Sequence, residues 1–537
     1  MKNSPFLFSS SFEDHITDSI ICLNGSLIFD SAEADLSFWF RCQDRYLLFA
    51  SLLGDRSLFF VKNDQHREQY IKSISQLRKD FKSIQATQDI WQDGRIPEPL
   101  YAQLDIELFG SQHHLVKLFP DDIGNKQLLE IIKIRTNQVS PTYFKLLRDL
   151  KSLLLDRGVD LRIDRGHVED MEQKIMLFND KAFYVDLISR YRGDLPKHVD
   201  TALLNPEKWG EITTWDELVL LIYPIAENKP MPSSIYVKSS LDSGGNGAVK
   251  FTKEEFDKTR IAFDEIIRTH ILANEPDTDN ITLNLQKVLA DSATFNRCWT
   301  EIDASNFVKD FIDRRRKLDI SLLIQTEIKK SANRDLPFGI GINCYIKNRD
   351  EINIVAIAGQ LYSDRDCKIH IGAHLSNDLR NKVLTDSFEK QIIELCRCFA
   401  EEGYIGPIGF DACLENESYT LIYDCNPRCT AILPALVIKS SLELEGYEIS
   451  QIINIDYRGR FVFPNFIEQL NLLKKKNLLF HSDHPSGILL LPNLARKNGY
   501  DAFFINNHIE EVNEILDSMI LGDGGDVDKG ELTQLFY

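Results

Sequence analysis

The stretch that decides the fold is GYIGPIGFDACLENESYTLIYDCNPR, residues 403–428. Two runs of strand-forming residues flank the four residues ENES (415–418), whose polar composition is typical of a tight turn. In an antiparallel pair joined by this turn, Leu414 lies opposite Tyr419. The stretch therefore predicts a β-hairpin.

The predicted hairpin places its acidic side chains on one face. Asp411 is expected opposite Ile422, and because side chains alternate between the faces of a strand, Asp411 shares its face with Asp424 and Asn426. Two carboxylates and an amide oxygen suit Mg²⁺ that is bound together with nucleotide phosphates. The alternative is a solvated hairpin with surface acids. The opposite face is apolar and carries Ile408, Phe410, Ala412, Leu414, Tyr419, Leu421 and Tyr423.

A second candidate site is the glycine- and serine-rich segment SIYVKSSLDSGGNGAVKF (234–251). Lys238 ends a predicted strand, and the chain returns as another strand after a loop. Backbone N–H groups freed by glycine, small hydroxyls and a lysine charge suit a polyphosphate. The alternative is a purely structural hairpin loop. The small residues of the loop are Ser239, Ser240, Ser243, Gly244, Gly245 and Gly247.

Two further signals are weak when taken alone. FNDK (178–181) places Lys181 at the start of a predicted helix, which by itself is uninformative. LLIQTEI (322–328) is an apolar strand that ends in Gln325 and Glu327 and could offer hydrogen bonds to an adenine edge or a ribose. A core strand that runs into a loop explains it equally well.

Composition narrows the classes of partner. Lysine and arginine total 62 against 81 acidic residues, a net charge of −19, which opposes binding to nucleic acid. No apolar run is long enough to span a bilayer, and the N-terminus lacks the apolar stretch of a signal peptide, so we expect no membrane partner and no export. The ten cysteines are dispersed without CxxC pairs. They predict reduced, mostly buried thiols and a cytoplasmic location.

The chain divides into three predicted parts. Residues 1–168 alternate apolar runs with helical patterns and predict an α/β domain. Residues 169–440 predict an α+β domain, with a glycine-loop subdomain at about 230–325, and 441–537 predict a C-terminal α/β segment. The main elements predicted after residue 168 are helices at 181–191, 253–271, 383–403 and 509–520, and strands at 234–238, 248–251, 320–325, 339–347, 352–362, 487–492 and 501–506.

In chain order, NDK, VKSS…GGNG, LIQTEI and GFD…YDCNPR resemble the ATP-grasp superfamily across about residues 170–440. The layout is similar to that of ligases that carry an N-terminal pre-ATP-grasp domain and join small carboxylates to amines or peptides. The resemblance implies an α+β ATP-grasp fold, in which two subdomains clasp ATP, behind an α/β pre-ATP-grasp domain at 1–168.

The resemblance also implies roles for the nucleotide-side residues. Lys181 and Lys238 would contact the phosphates of ATP, and the glycine loop with its serines would close over them. The strand end from Gln325 through Glu327 to Ile328 would be the adenine hinge.

The metal and catalytic roles follow in the same way. Asp411, Asp424 and Asn426 would hold Mg²⁺, with Mn²⁺ as an alternative ion. Arg428, in the NPR motif, would act with Lys238 as a catalytic group and stabilise the transferring phosphoryl group and the acyl intermediate.

The segment AIAGQLYSDRDCKIHIGAHLS (356–376) looks like the substrate side of those ligases, with Gln360 in a strand followed by a glycine-containing loop. A cationic run follows Gln360 and suits a carboxylate substrate. The alternative is a solvated loop. The run consists of Arg365, Lys368, His370 and His374.

The implied activity is that of an ATP-dependent carboxylate–amine ligase. A carboxylate attacks the γ-phosphate to give an acyl phosphate and ADP, and an amine then displaces phosphate to form an amide or peptide bond. The expected partners are a small carboxylic acid or amino acid, an amine, amino acid or peptide, and a second copy in a homodimer. The alternatives are a nucleotide-binding regulatory protein without turnover, or an ATP-grasp kinase or carboxylase with another acceptor.

Overall fold

A computed structural model of the chain contains three β-sheets and their helices. Of the first sheet only the backbone is described. The structure describes residues 18–22, 56–61, 64–65, 67–68, 71–72, 100–106, 113–118, 131–136, 151–152, 155–156, 160–163, 177–191, 193–223, 231–240, 248–266, 321–328, 336–362, 370–427, 430, 432–444, 446–455, 466–480, 486–493 and 499–520.

The first sheet has six strands in the order β4-β3-β2-β1-β5-β6. Its neighbours pair in parallel, except for β3 and β4, which are antiparallel. A mostly parallel sheet needs crossover connections, which agrees with the predicted α/β character of this part. The strands are β1 (Asp18–Cys22), β2 (Arg56–Val61), β3 (Leu100–Ile106), β4 (His113–Leu118), β5 (Ile131–Thr136) and β6 (Asp160–Ile163).

The second sheet is antiparallel, with four strands in the order β7-β10-β8-β9. It contains β7, which lies before the predicted glycine-loop subdomain. Its strands are β7 (Thr201–Leu204), β8 (Ser234–Ser239), β9 (Ala248–Thr252) and β10 (Leu322–Thr326), and the helices of this region are α1 (Lys181–Arg190), α2 (Trp215–Ile222) and α3 (Phe256–Ile266).

The core of the second sheet is aromatic. Trp209 and Phe251 are fully buried, and Phe263 of α3 packs edge-on against both rings. The sheet is fixed on this side by α2, which begins at a capping box between Thr214 and Glu217. One face of the sheet is therefore sealed, which leaves the ends of β8 and β10 to meet the third sheet.

The third sheet is antiparallel and has eight strands in the order β15-β14-β11-β12-β13-β16-β18-β17. Strands from the predicted C-terminal segment extend this sheet through the pairing of β13 with β16. Its strands are β11 (Gly339–Ile346), β12 (Ile352–Tyr362), β13 (His370–Ser376), β14 (Gly406–Glu415), β15 (Ser418–Asn426), β16 (Gln451–Ile455), β17 (Gly487–Asn493) and β18 (Gly499–Ile505).

Helices cover the third sheet and supply its core. Ile392, Leu395 and Phe399 on one stripe of α5 are fully buried with the apolar face of β14 and β15. A stripe at this spacing is the core-facing side of an amphipathic helix. The helices are α4 (Asn377–Val383), α5 (Asp386–Glu401), α6 (Leu433–Leu444), α7 (Phe466–Lys475) and α8 (Ile509–Ile520).

The mixture of antiparallel sheets and helices confirms the predicted α+β class. The predicted helix at 509–520 and strand at 352–362 are found at those bounds. The predicted helix at 383–403 is shorter and begins at Asp386, because Thr385 caps it. The loop expected after Gln360 is wrong in part, since His370–Ser376 forms strand β13. The boundaries of the three predicted parts stay predictions.

Two further expectations from the sequence, on membrane spans and on cysteines, can be compared with the described residues. In that portion of the chain, no helix combines the length and the apolar character that a membrane crossing requires. The cysteines whose side chains are described are free thiols; Cys344, Cys396, Cys398 and Cys425 are buried, and Cys413 is half-buried.

Candidate active site

The predicted hairpin is formed by β14 and β15, and it contains a bulge. Leu414 pairs with Tyr419 as predicted, but the register shifts between Phe410 and Ala412. The expected pairing of Asp411 with Ile422 is therefore wrong. Phe410 pairs with Cys425 and Ala412 with Leu421, so one residue of β14 faces three of β15.

The bulged segment contains Tyr423, whose φ is +53°. This is the left-handed region of the backbone, which departs from the extended conformation of a strand. Two extra residues leave the alternation of faces unchanged, so Asp424 and Asn426 stay half-buried while Tyr423 and Cys425 are buried. The predicted metal ligands keep a common face with Asp411, which is also half-buried.

Lys181 lies at the start of α1 and reaches this bulge. Its side chain is buried, and its Nζ lies 3.8 Å from Asp424 Oδ1. Asp180 caps the helix by accepting a hydrogen bond from the Ala182 N–H at 2.9 Å, and burial raises the pKa of the Asp180 carboxyl. The Lys181 N–H donates to the Ser240 carbonyl at 2.8 Å, which ties the helix start to the end of β8.

Two residues of the second sheet reach the same bulge. Lys238 Nζ donates to the Ile422 carbonyl at 3.1 Å, across 184 residues of sequence. Gln325 Nε2 donates to that carbonyl at 3.2 Å and to Thr201 Oγ1 at 3.0 Å. The Gln325 amide therefore serves as a bridge between the two sheets in this structure.

Asp411 is linked to the predicted substrate side. Gln360 Nε2 donates to Asp411 Oδ1 at 3.3 Å, and the Tyr362 hydroxyl donates to Gln360 Oε1 at 2.6 Å. A side chain at Gly339 would clash with Gln360 and Tyr362, so glycine is needed there for this chain of hydrogen bonds.

A further polar residue, Asn343, lies beside the hairpin and was not singled out from the sequence. It is buried on β11, and its register neighbour Gly409 pairs with Asn426. The Thr430 hydroxyl donates to Asn343 Oδ1 at 2.6 Å. The only sequence signal was an asparagine within the apolar run GIGINCYIK, where a buried amide requires partners.

The hinge segment carries an ion pair. Lys250 Nζ donates to Glu327 Oε1 at 2.6 Å, and the Ser234 hydroxyl also donates to Glu327. Lys250 lies over the Tyr236 ring, 5.9 Å from its centroid. Burial and the nearby Glu327 carboxylate raise the pKa of the Tyr236 hydroxyl. Glu327 and Ile328 are both half-buried at the end of β10.

His374 is buried in the structure and does not belong to the predicted cationic run. His374 lies in β13, is buried and has its Nε2 3.0 Å from Gln451 Oε1. Burial lowers the pKa of its imidazole, so the ring is neutral near pH 7. The expectation that His374 belongs to a cationic run is wrong, because the strand carries it into the core.

Several predicted site residues lie outside the described part of the chain. Their roles stay predictions, as does the role of the glycine loop. For Ser239 the backbone is described as the last residue of β8, but not the side chain. The residues outside the description are Ser243, Gly244, Gly245, Gly247, Arg365, Lys368 and Arg428, and the side chain of His370 is likewise outside it.

The donor set of the hairpin fits a magnesium ion. Asp411, Asp424 and Asn426 offer carboxylate and amide oxygens, the hard ligands that Mg²⁺ prefers. Within the described ranges no group of three or more histidine, cysteine, aspartate or glutamate side chains forms a closed metal site. Two carboxylates on one face match an ion that completes its coordination with water and phosphate oxygens.

No family model and no curated protein matches the chain. The solved structures similar to it are ATP-grasp proteins. N5-carboxyaminoimidazole synthetase from Staphylococcus aureus, complexed with ADP, is 11% identical over 96% of this chain and 99% of its own, with a TM-score of 0.44. Biotin carboxylase from Campylobacter jejuni is 10% identical over 94% and 90%, with a TM-score of 0.44.

L-amino acid ligase from Bacillus licheniformis is 11% identical over 93% of this chain and 97% of its own, with a TM-score of 0.39. All three TM-scores are below 0.5.

Proposed function

We propose that the chain is an ATP-grasp enzyme, an ATP-dependent carboxylate–amine ligase that forms an amide or peptide bond and releases ADP and phosphate. One observation carries the proposal. Lys181, Lys238 and Gln325 come from three separate sequence motifs, and all three reach residues 422–424 of the bulged strand.

The two lysines are proposed to bind the phosphates of ATP. Lys181 lies at the N-terminus of α1, where the helix dipole adds positive potential. The Lys181 ammonium lies 3.8 Å from the Asp424 carboxylate, so a phosphate that it binds would lie beside the proposed metal ligands. The Lys238 ammonium would bind the phosphates from the β8 side.

Asp411, Asp424 and Asn426 would hold Mg²⁺, which would neutralise charge on the phosphates when bound. The protein positions Asp411 through the donor groups of Gln360 and Tyr362. Gln360 thereby connects the metal side to the proposed carboxylate site. Positioning and electrostatics of this kind account for most catalysis of phosphoryl transfer.

The proposed reaction has two steps. The substrate carboxylate attacks the γ-phosphorus, the bond to the β-phosphate oxygen breaks, and ADP leaves. The amine then attacks the acyl carbon, and orthophosphate leaves with the electron pair of the C–O bond. No covalent enzyme intermediate is required, which agrees with a site built from lysines, carboxylates and amides.

The test is the fate of ATP. The purified full-length chain is incubated with Mg·ATP and pools of amino acids, small carboxylic acids and amines, and nucleotides and condensation products are measured by mass spectrometry. We expect one ADP and one orthophosphate for each amide bond, and a hydroxamate when hydroxylamine replaces the amine. Release of AMP and pyrophosphate would overturn the proposal.

Matched variants separate the site from the surface. Lys238→Met should lower turnover by on the order of 10²-fold, because a charge-assisted contact to the phosphates is lost. Lys347→Met should leave it unchanged, since Lys347 forms only a surface pair with Glu351. Equal effects of the two substitutions would contradict the proposed nucleotide site.

The same assay tests the alternative activities. ADP release that depends on bicarbonate alone, or phosphorylation of a hydroxyl acceptor, would replace the ligase with a carboxylase or kinase. Binding of Mg·ATP without release of ADP for any acceptor would favour the regulatory protein. Each of these results would overturn the ligase proposal and leave the nucleotide site in place.

A further inference from the structure

The bulge that carries Asp424 contains a strained residue. Tyr423 is not glycine, yet its φ is +53°. A bulky side chain in this region raises the energy of the folded state, so surrounding contacts must hold it there. The contacts of Tyr423 therefore determine how firmly Ile422 and Asp424 are placed.

His198 is the nearest aromatic neighbour of Tyr423. The two rings lie 4.6 Å apart between centroids, with an interplanar angle of 36°. The ring of Tyr184, from α1, packs edge-on against Tyr423 at 5.1 Å and against His198 at 5.5 Å. Two rings from two distant segments thus pack against the strained Tyr423.

Both nitrogens of His198 have a partner. Nδ1 lies 2.8 Å from the Pro196 carbonyl oxygen, which only accepts, so Nδ1 carries the proton. Nε2 then accepts the hydrogen bond of the Tyr184 hydroxyl at 2.8 Å. This arrangement needs the neutral imidazole, and burial lowers the pKa of His198 to about 4. The ring orientation is therefore fixed by two hydrogen bonds.

The backbone around His198 is joined to the same strand. The Val199 N–H donates to the Leu421 carbonyl at 2.8 Å, and the Leu421 N–H donates to the Lys197 carbonyl at 2.9 Å. His198 and Leu421 form an isolated parallel bridge. The strand is clamped immediately before the bulge, and the His198 side chain reaches the residue after Ile422.

We propose that His198 is a positioning residue: its ring, oriented by Pro196 and Tyr184, holds Tyr423 in the left-handed conformation that sets the Ile422 carbonyl and the Asp424 carboxylate. This inference rests on the proposed function, because Ile422 and Asp424 lie where the lysines and the metal ligands meet. Tyr184 lies on the helix that begins at Lys181, so one cluster of rings sets both sides of the Lys181–Asp424 pair.

The test uses two substitutions at one position. His198→Gln keeps an acceptor for the Tyr184 hydroxyl and loses the ring, whereas His198→Phe keeps the ring and loses both hydrogen bonds. We expect the Mg²⁺ concentration for half-maximal ATP turnover to rise by on the order of 10-fold in both, as for other groups that orient metal ligands. The KM for the carboxylate should change by less than about 2-fold, a threshold well below that effect.

A second readout does not depend on turnover. Backbone hydrogen exchange of the peptide 419–426 should become faster in both variants, because the strained turn opens more often. Mn²⁺ binding in the presence of ADP, followed by water proton relaxation, should weaken by the same factor as the Mg²⁺ requirement. If the wild-type chain neither turns over ATP nor binds Mn²⁺ with ADP, the proposed function fails, while the exchange result still decides whether His198 holds the bulge.

The matched control is Tyr191→Phe. Tyr191, the C-terminal cap of α1, donates its hydroxyl to Glu394 of α5. This substitution also removes one side-chain hydrogen bond next to α1, but should leave the Mg²⁺ requirement and the exchange of 419–426 unchanged. The inference is overturned if the His198 variants lose stability alone, or if Tyr191→Phe reproduces their effects.

Discussion

Two polar clusters of the molecule differ in burial and in charge. The bulge cluster consists of Lys181, Lys238, Gln325, Ile422 and Asp424, and it joins an ammonium to a carboxylate at 3.8 Å. The Gln451 cluster lies on the third sheet and consists of the buried His374, Gln451 and Asn507 and the exposed His508. An ion pair lies in the first cluster, and a side-chain amide lies at the centre of the second.

The Gln451 cluster is organised around the side-chain amide of Gln451. Gln451 Oε1 lies 3.0 Å from His374 Nε2, and Gln451 Nε2 donates to the Asn507 carbonyl at 2.9 Å and lies 3.3 Å from His508 Nδ1. These contacts link β13, β16 and the residues after β18. Asn507 Nδ2 also donates to Glu511 at 3.4 Å, whereas Asn507 Oδ1 is buried without a hydrogen-bond partner among the described residues. Hydrogen bonds of the Gln451 amide therefore hold three segments together without an ion pair at their centre.

The bulge cluster keeps charged groups where two sheets meet. Asp424 is 21% exposed at its side chain while Lys181 is 5% exposed, so the pair lies at the boundary between core and solvent. Charges are costly to bury, and a protein that needed only rigidity could use an amide centre such as that of the Gln451 cluster. This difference supports the proposal that the bulge cluster binds a charged ligand.

The largest effect is expected from a substitution of Asp424 in the bulge cluster. Asp424→Asn removes a charge with almost no change in shape, and should lower Mg²⁺-dependent turnover by on the order of 10²-fold or more. The free energy of unfolding should fall by no more than about 3 kcal/mol, because the carboxylate is partly solvated but the Lys181 ammonium left behind is buried. Turnover and urea unfolding are measured on the same preparation, with the exposed Asp378→Asn as control. Near-normal turnover in the Asp424 variant would remove Asp424 from the metal site.

The second prediction concerns pH and the ring that supports the bulge. The pKa of His198 is lowered from 6.5 to about 4, so the unfolded chain takes up this proton first as the pH falls. The contribution of the neutral His198 ring to the free energy of unfolding is fully present above pH 6.5. It falls by a total of about 3 kcal/mol between pH 6.5 and pH 4.

The measurement is the free energy of unfolding of the wild type minus that of His198→Gln from pH 8 to pH 4. The difference should shrink as the pH falls, since the variant lacks the titrating ring. His374, whose pKa is also lowered, titrates in both proteins and cancels. The groups that face His198 are the hydroxyls of Tyr184 and Tyr423, which stay protonated throughout, with Asp200 nearby. A difference independent of pH would contradict the buried neutral imidazole.

The third prediction breaks the Gln451 cluster. Gln451→Leu leaves His374 Nε2 without its acceptor and the Asn507 carbonyl without its donor, and should lower the free energy of unfolding by about 2 kcal/mol. At a temperature where the variant is folded, the KM for ATP and the Mg²⁺ requirement should equal those of the wild type. A raised Mg²⁺ requirement would show that the two clusters are coupled.

Much of the bulge cluster could be predicted from the sequence, because alternation along a strand fixes faces. Asp424 and Asn426 were placed correctly relative to the apolar side, although the bulge at Tyr423 was not foreseen. A left-handed tyrosine has no local signature, and it is held by His198 and Tyr184 from distant segments. Two extra residues in β15 leave the alternation of its side chains between the two faces unchanged. The predicted faces of Asp424 and Asn426 are therefore correct although the predicted register is wrong.

The region around His374 could not be predicted in the same way. A run with arginine, lysine and two histidines is typical of a solvated loop, and nothing local indicates that β16 lies beside it. Gln451, which is 77 residues away in the sequence, forms a hydrogen bond with His374 that offsets the cost of burying its ring. Pairing between distant strands therefore decides the role of a polar residue more than its neighbours in sequence do.

The smallest expected effect is that of a substitution at Glu327 in the hinge segment. Glu327 forms an ion pair with Lys250 at 2.6 Å, and the two side chains are 24% and 36% exposed, respectively. This pair carries the same charges as the Lys181–Asp424 pair of the bulge cluster, but it is solvated like a surface ion pair. Glu327→Gln keeps an acceptor for Ser234 and should change the free energy of unfolding by less than about 1 kcal/mol. If the hinge binds the nucleoside, the KM for ATP should rise several-fold, on the order of the 1–2 kcal/mol that one hydrogen bond contributes, while kcat stays unchanged. Steady-state kinetics with ATP as the varied substrate measure both constants. A fall in kcat with KM unchanged would place Glu327 at the reacting phosphate instead, and the hinge would then belong with the bulge cluster.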